Sequence, residues 1–485
     1  MPTENPMPTE NPVPIQASVG ERLDRVPWQR LHTTILIALG AGWLFDSFEV
    51  QMFSSAVGPL GDHFGASVFE RDAVLAVWLG GILIGAAAGG RLADRYGRRR
   101  LFVATLLWYA GFTVLTGLSP NLGFVYGFRF LAALGVGAEY AIVNAAIAEF
   151  MPARVRGKAN ALVMNFWPLG AILAGLLAYF ALDTLALSSA VSWRYMFVLG
   201  GLVALVVLFF RRRIPESPRW LASQGRTAEA ERIVQALEGV PTASALGSGA
   251  DSEPVSAPTS EPVSAPTTRS VLAELVRHYP GRLALGAVLD LAEAFGYYGL
   301  FALMSVVVLP QIHITQSGIP IFYIIGNVGA LAGGLIMASV FDRAGHRRTV
   351  GVCYLLSAIA VAVLAMATQS GSAVWVTLAF VVANGVGTAA WTSAYPTFTE
   401  LFPTHLRGVG VGASVAIGRI GAIVGTLALP TIAQDLGAGA SYLLVAAFWL
   451  IGAIAIGVAA LCGGHDPSRR ALEEVAPLRA DPVRA

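Results

Sequence analysis

Charge is scarce in this chain: Asp, Glu, Lys and Arg make up only 13% of 485 residues, against 55% hydrophobic residues and a mean hydropathy of +0.64. That balance excludes an ordinary soluble multidomain protein, and the solvent for most of the chain is a lipid bilayer. Cysteine is nearly absent. Cys353 and Cys462 both sit inside apolar stretches, which excludes a disulfide framework and fits two small buried side chains. No cysteine and histidine cluster has metal-ligand spacing. No Gly-x-x-x-x-Gly-Lys-[Ser/Thr] run occurs to indicate ATP use, and no nucleophile stands in a catalytic arrangement, so neither an enzyme nor a cofactor is expected. The net charge of +2, from 32 basic and 30 acidic residues, does not imply nucleic acid as a partner. The first thirty residues open on the duplication MPTENPMPTENP and hold no apolar core. They are not read as a signal peptide, and Met7 is an alternative start.

What the chain does hold is apolar runs long enough to cross roughly 30 Å of hydrocarbon at about 1.5 Å per residue. About twelve are expected, at residues 31–60, 72–91, 101–119, 121–149, 157–180, 192–210, 282–310, 318–341, 349–368, 373–399, 408–432 and 440–463. The stretch Gly90–Arg100, GRLADRYGRRR, places five arginines between two of these runs. It reads as a tight cytoplasmic turn, because such charge cannot enter lipid. The other arginine-rich segments alternate in step with it: Arg22, Arg25 and Arg30; Arg154, Arg156 and Lys158; Arg211 to Arg213; Arg343, Arg347 and Arg348; Arg407; Arg469 and Arg470. The opposite loops carry Asp62, Glu70, Asp72, Asp183 and Asp435, with Arg71 and Arg194 as exceptions. Both termini are therefore expected in the cytoplasm.

The only long interruption lies between the sixth and seventh spans. Residues 227–237 within it read as a short amphipathic helix, whereas EPVSAPTSEPVSAPTT at 253–268 is an octamer repeat read as disordered linker. The expected plan is a tail (1–30), a six-helix bundle (31–210), a linker (211–281), a second six-helix bundle (282–463) and a tail (464–485). The halves repeat each other. FDRAGHRR at 341–348 echoes the Asp-Arg-x-Gly-x-Arg spacing of the first turn with an offset of 342 − 94 = 248, and ELFPTHLRG at 400–408 matches EFMPARVRG at 149–157 with an offset of 400 − 149 = 251. Repeats of the same orientation, six helices each, are the plan of secondary transporters with a midplane site.

These residues carry a family likeness. The chain resembles the major facilitator superfamily, in the branch of sugar porters and synaptic-vesicle-glycoprotein-like metabolite:proton symporters. GRLADRYGRRR looks like the loop signature after helix 2, Pro215-Glu-Ser-Pro-Arg-Trp-Leu221 is similar to the motif after helix 6, and EFMPARVRG with ELFPTHLRG resembles the paired motifs after helices 4 and 10. The resemblance implies an all-α membrane protein of two pseudo-symmetric six-helix halves, rocking to give alternating access, with the loop charges latching the cytoplasmic side. The paired glutamines of sugar porters in helix 7 are replaced by Asp290-Leu-Ala-Glu293-Ala-Phe-Gly-Tyr297-Tyr298. Asp46-Ser-Phe-Glu49 looks like the Asp-Gly-x-Asp motif of aromatic-acid:proton symporters, with two substitutions.

An ionisable group inside a span costs at least about 2.5 kcal/mol, so each is a functional candidate. Seven are expected: Asp46, Glu49, Arg129, Glu139, Asp290, Glu293 and Arg419. Asp46 and Glu49 share a helix face, as do Asp290 and Glu293, with Tyr297 one turn on. Asp46 lies about 22 Å and Arg129 about 30 Å from the cytoplasmic ends of their helices. Arg129 is expected to pair with Asp46 or Glu49, either as a proton-coupled switch, which the resemblance supports, or as a permanent structural pair. Arg419, about 16 Å into its helix, either binds an anionic substrate through its guanidinium fork or neutralises Asp290 or Glu293. Tyr297, Tyr298, Trp391 and Tyr395, with Phe166 and Trp167, are candidate walls for a flat solute or else plain packing. Glu139 and Asn144, with Asn165, Asn327 and Asn384, are polar candidates for substrate contact or for bridging helices. Asp94, Arg95, Arg98, Glu149, Arg156 and Glu216, with Asp342, Arg343, Glu400 and Arg407 opposite, are expected to form the cytoplasmic gate.

The expected function is proton-coupled symport of a small organic acid, an aromatic or pyridine carboxylate, by a monomer in a bacterial inner membrane. The partners are the solute, protons and the lipid bilayer. A sugar or polyol porter, an exporter or antiporter, a carrier of a cationic solute, and a transporter-like receptor are the alternatives.

Overall fold

Every long apolar run forms a helix, since backbone polar groups in hydrocarbon must satisfy one another within the segment. The computed structural model describes residues 19–185, 187–239, 268–315, 318–402 and 406–461. Among them eleven helices are long and apolar enough to span a membrane, and the last, Arg407–Leu461, is two spans joined at the non-helical Gly437 (φ 83°, ψ 159°). The twelve are α1 (Arg30–Phe64), α2 (Val68–Tyr96), α3 (Arg98–Gly117), α4 (Leu122–Phe150), α5 (Arg156–Tyr179), α6 (Ser189–Arg211), α7 (Pro280–Gln311), α8 (Gly318–Ala344), α9 (His346–Gln369), α10 (Ala373–Leu401), α11 (407–436) and α12 (438–461). The expected spans are matched in order, and the observed helices overrun most of them. The expected turn at Gly90–Arg100 is the largest such difference. Residues 90–96 continue α2, and Gly97 alone separates it from α3 (φ 89°). Gly345 does the same between α8 and α9 (φ 85°), 248 residues later.

The halves meet along α2 against the 407–461 helix and α5 against α8. Within each half, glycines let helices pack at backbone distance. A Cβ on Gly81, Gly85 or Gly89 of α2 would strike Phe130–Ala133, Leu134 or Ala138 of α4, and one on Gly137 would strike the Ile82 carbonyl. Gly329 and Gly333 of α8 meet Val381 and Gly385 of α10 in the corresponding way.

Among the shorter helices at the arginine-rich end, two are joined by an arginine. Val19–Arg25, in the segment expected as a tail, buries Leu23, with Val26 buried just after it. Thr227–Glu238, expected as amphipathic, buries Ala230, Val234 and Leu237. Arg22 joins them through Glu231 and Glu238, both at 2.7 Å. That contact holds the Glu231 carboxyl below its ordinary range. The repeat at 253–267, Cys462 and the tail 464–485 lie outside the described residues.

Gly80 and Gly85 stand on different sides of α2, and a Cβ on Gly80 would meet nothing within 4 Å. Gly85→Ala is expected to cost about 1–3 kcal/mol by overpacking, read as a lower melting temperature in detergent. Gly80→Ala should leave it unchanged or raise it, because alanine is the better helix former.

Candidate functional site

One stripe of α1 carries most of the chemistry of the N-terminal half. Gly42, Asp46, Glu49 and Phe53 recur at helical spacing, and all four are buried. At the Phe53 end, Arg129 of α4 pairs with Glu49 (Nη1 to Oε1, 2.7 Å), and the Thr113 hydroxyl of α3 donates to the same oxygen at 2.5 Å. The guanidinium lies 5.1 Å from the Phe53 ring centre and 5.6 Å from those of Trp78 and Phe197, a cation–π cage that offsets part of its desolvation. Of the two acids expected as its partner, the structure selects Glu49.

At the Gly42 end a second pair appears. Arg211, the last residue of α6, binds the Glu139 carboxylate and donates to the Phe102 carbonyl at 2.9 Å. The arginine run 211–213 was expected wholly outside the membrane, yet Arg211 is fully buried while Arg212 and Arg213 are exposed. A lone buried acid at Glu139 was the available signal, because burying it requires a cation. Gly42 makes room for this pair, since any side chain there would overlap both partners. Glu139, expected as a substrate contact, is thereby committed inside its own half. Asp46 lies between the two pairs, beside Tyr109 and within electrostatic reach of Arg211 and Glu49. Neither of its carboxylate oxygens has a hydrogen-bond partner of standard geometry.

The residues next in sequence to two of these face the other way. Trp43 follows Gly42, and Tyr140 follows Glu139. Their rings meet edge-on at 4.7 Å, at the boundary between the halves. There Arg419 of α11 is fully buried. It donates to the hydroxyls of Tyr298 (3.1 Å) and Tyr395 (3.3 Å) and lies over the rings of Tyr140, Tyr298 and Trp391 at 5.3, 5.6 and 5.7 Å. No carboxylate among the described residues is within 4.0 Å of it. Asp290 rests against Gly418 in its vicinity, and Glu293 instead accepts a hydrogen bond from Tyr354 of α9 at 2.7 Å.

Beside Arg419 is a slot lined by Trp43, Met164, Trp167, Tyr297, Trp391 and two threonines, Thr388 and Thr392. Trp167 from one half and Trp391 from the other stack across it at 6.3 Å. Its volume of about 10 Å³ admits about one water. Of the four aromatics singled out in the C-terminal half, Tyr297 and Trp391 line the slot, and Tyr298 and Tyr395 hold Arg419 beside it. Trp43 and Tyr140 were not anticipated, because an aromatic in a span carries no signal that separates lining from packing. Phe166 packs over Gly40, Asn165 contacts Gly334 of the other half, Asn384 bridges to the Gly326 carbonyl at 3.0 Å, and Asn327 bonds within its own helix.

At the arginine-rich end, Arg98 reaches Glu149 at 2.8 Å and the Ala93 carbonyl at 3.0 Å. One oxygen of Glu216 accepts the backbone N–H groups of Arg98 (2.8 Å), Arg99 (3.2 Å) and Ser217 (3.1 Å), an anion at the positive end of α3. Arg156 and Arg219 share Asp24 at 2.8 and 3.2 Å, a partner that reading the first thirty residues as a tail had hidden. Arg95 is exposed, with its guanidinium 5.4 Å from the Tyr96 ring. The side chains of Asp94, Asn144, Asp342, Arg343, Glu400 and Arg407 lie outside the described residues.

The chain matches the family model described as "Sugar (and other) transporter" over residues 49–462. It is 28% identical to the niacin transporter NiaP of Acinetobacter baylyi over 83% of this chain and 87% of that one. It is 29% identical to a probable 4-methylmuconolactone transporter of Cupriavidus pinatubonensis over 81% and 82%. Among solved structures it resembles the proton:xylose symporter XylE of E. coli, of the major facilitator superfamily, with a TM-score of 0.75 and 19% identity over 92% of this chain and 98% of that one.

Removing one partner of a buried ion pair strands the other. Glu139→Gln is expected to lower stability by about 3–5 kcal/mol, whereas Glu139→Gln with Arg211→Met recovers most of the loss. Thermal unfolding in detergent measures both, and equal losses in the two variants would show that a stranded Arg211 is not the source of the loss.

Proposed function

The chain belongs to the sugar (and other) transporter family, and on that premise we propose that it is a proton-coupled symporter of a small organic acid, an aromatic or pyridine carboxylate. One observation carries the substrate class. Arg419 is buried, fixed by two phenol hydroxyls, and without a carboxylate in ion-pair range among the described residues. A guanidinium in that position calls for an anion, and its fork of donors fits a carboxylate bidentately. The stacked rings of Trp167 and Trp391, with Tyr297 tilted against Trp391, suit a flat ring. The relative named for niacin, a pyridine carboxylate, supports the same class.

Asp46 is the proposed proton carrier. Arg211, the cation that acts on it, is held by Glu139, and Arg129 is held by Glu49, so an ionised Asp46 is a third buried acid against two cations. A proton on Asp46 removes that excess. Its loss pulls on Arg211 and, through Glu139 and the adjoining Tyr140, on the wall of the slot. The nearly closed slot opens to one side at a time as the halves rock, with Arg98, Glu149, Arg156 and Glu216 bracing the arginine-rich end. The excess of arginine there supports a cytoplasmic location for that end and for both termini, in the inner membrane of a bacterium. The protein is proposed to act as a monomer.

The test is uptake into liposomes under an imposed inward proton gradient, with a panel of carboxylates, sugars and amines. Accumulation of an aromatic carboxylate that collapses with a protonophore is expected. Sugar or amine accumulation alone would overturn the substrate class, and gradient-independent equilibration would overturn the coupling. Asp46→Asn is expected to abolish pH-driven accumulation while keeping exchange of substrate between the two sides. Arg419→Lys should weaken carboxylate binding about tenfold or more, the loss of a charged hydrogen bond, and an unchanged affinity would remove the role given to Arg419.

A further inference from the structure

The repeat that builds the two halves alike does not hold at Trp108 of α3 and its counterpart on α9. In the N-terminal half, Trp108 of α3 lies across α4. Its indole N–H donates to the Leu131 carbonyl at 2.8 Å, and its ring edge is 3.1 Å from the point a Cβ on Gly135 would occupy. With the offset of 248 that relates Gly97 to Gly345, the residue matching Trp108 on α9 is Leu356. The indole is missing there, and a groove of about 360 Å³ opens between α8, α9 and α10. Its floor is Met337, Cys353 and Ala389, all buried, and its walls are Ile336, Val352 and Leu356, 62%, 55% and 46% exposed.

The groove is apolar throughout except at the arginine-rich end, where Arg348 and Thr349 close it. Arg348 is exposed and makes no ion pair among the described residues. From Arg348 to Leu356 is eight residues of helix, about 12 Å, which is within one leaflet of a hydrocarbon core about 30 Å thick. A lipid-facing apolar trough of that depth, ending in an unpaired guanidinium at headgroup level, has the polarity of a single phospholipid: chain below, phosphate above. We propose that this groove is a specific site for one anionic phospholipid, with an acyl chain between α8, α9 and α10 and the headgroup phosphate on Arg348. The site is separate from the Arg419 slot and does not depend on which solute that slot takes.

The test is native mass spectrometry of the full chain in mild detergent, titrated with phosphatidylglycerol and phosphatidylcholine of identical chains. The wild-type protein is expected to hold one phosphatidylglycerol about fivefold or more in preference to phosphatidylcholine, the factor expected of one arginine near an anionic surface. Arg348→Gln should reduce that preference to near parity. Leu356→Trp, which restores the plug of the other half, should remove the single tight adduct of either lipid. Equal affinity for the two lipids in the wild type overturns the proposal, as does a Leu356→Trp protein that folds and keeps its adduct. If Leu356→Trp does not accumulate, Arg348→Gln decides alone. That side chain is exposed and tolerates the change, and an undiminished preference in this variant counts against the site.

Discussion

A guanidinium in hydrocarbon must have a counter-charge or a purpose, and among the described residues three, Arg129, Arg211 and Arg419, are fully buried. Two hold glutamates within the N-terminal half, and the third is surrounded by aromatic rings and phenol hydroxyls where the halves meet. This unequal distribution organises the rest. It explains why Gly42 has no side chain, why α6 ends on a buried arginine, and why α1 keeps a polar stripe turned from lipid. It also sorts the buried acids of the N-terminal half into two committed partners, Glu49 and Glu139, and one, Asp46, with no cation to itself.

The two groups of charges are mechanically joined by neighbours in sequence. On α1, Gly42 faces the Arg211–Glu139 pair and Trp43 faces the slot; on α4, Glu139 holds Arg211 and Tyr140 lies under Arg419. Adjacent residues on a helix point about 100° apart, so one rigid turn of each helix presents one side chain to the interior of its half and the next to the interface. Under the proposed role of Asp46, a change of its charge has a short, stiff route to the aromatic wall, with no loop or hinge between them.

How much of this was legible depends on whether the signal was periodic or positional. Spans, the two-fold repeat and the shared face of Asp46 and Glu49 follow from period and spacing, and all appear. Arg211 was hidden by its neighbours Arg212 and Arg213, because a run of three arginines beside an apolar stretch reads as a loop, and only the unpaired Glu139 argued otherwise. The turn at Gly97 is one residue long because α2 carries exposed Arg91 and Arg95 on its last turns, where charged residues can stay helical outside lipid. The break between α11 and α12 is a single glycine, with the chain helical on both sides. Trp43 and Tyr140 were beyond reach, since nothing in a sequence distinguishes an aromatic ring that lines a passage from one that fills a core.

The repeat preserves packing better than chemistry, and the physical reason is visible in particular residues. Gly97 and Gly345 share a positive φ, and the glycines of α2 and α8 meet α4 and α10 at backbone distance, because backbone geometry leaves few solutions. The acids are freer. Asp46-x-x-Glu49 and Asp290-x-x-Glu293 look alike, yet Glu49 takes Arg129 and a threonine, whereas Glu293 takes Tyr354 and leaves Arg419 to two phenols. An arginine neutralised by its own helix bundle stabilises that bundle and can do little else. The half that keeps its carboxylates out of ion-pair range of Arg419 leaves that guanidinium among rings from both halves, Tyr140 from one and Tyr298 and Trp391 from the other.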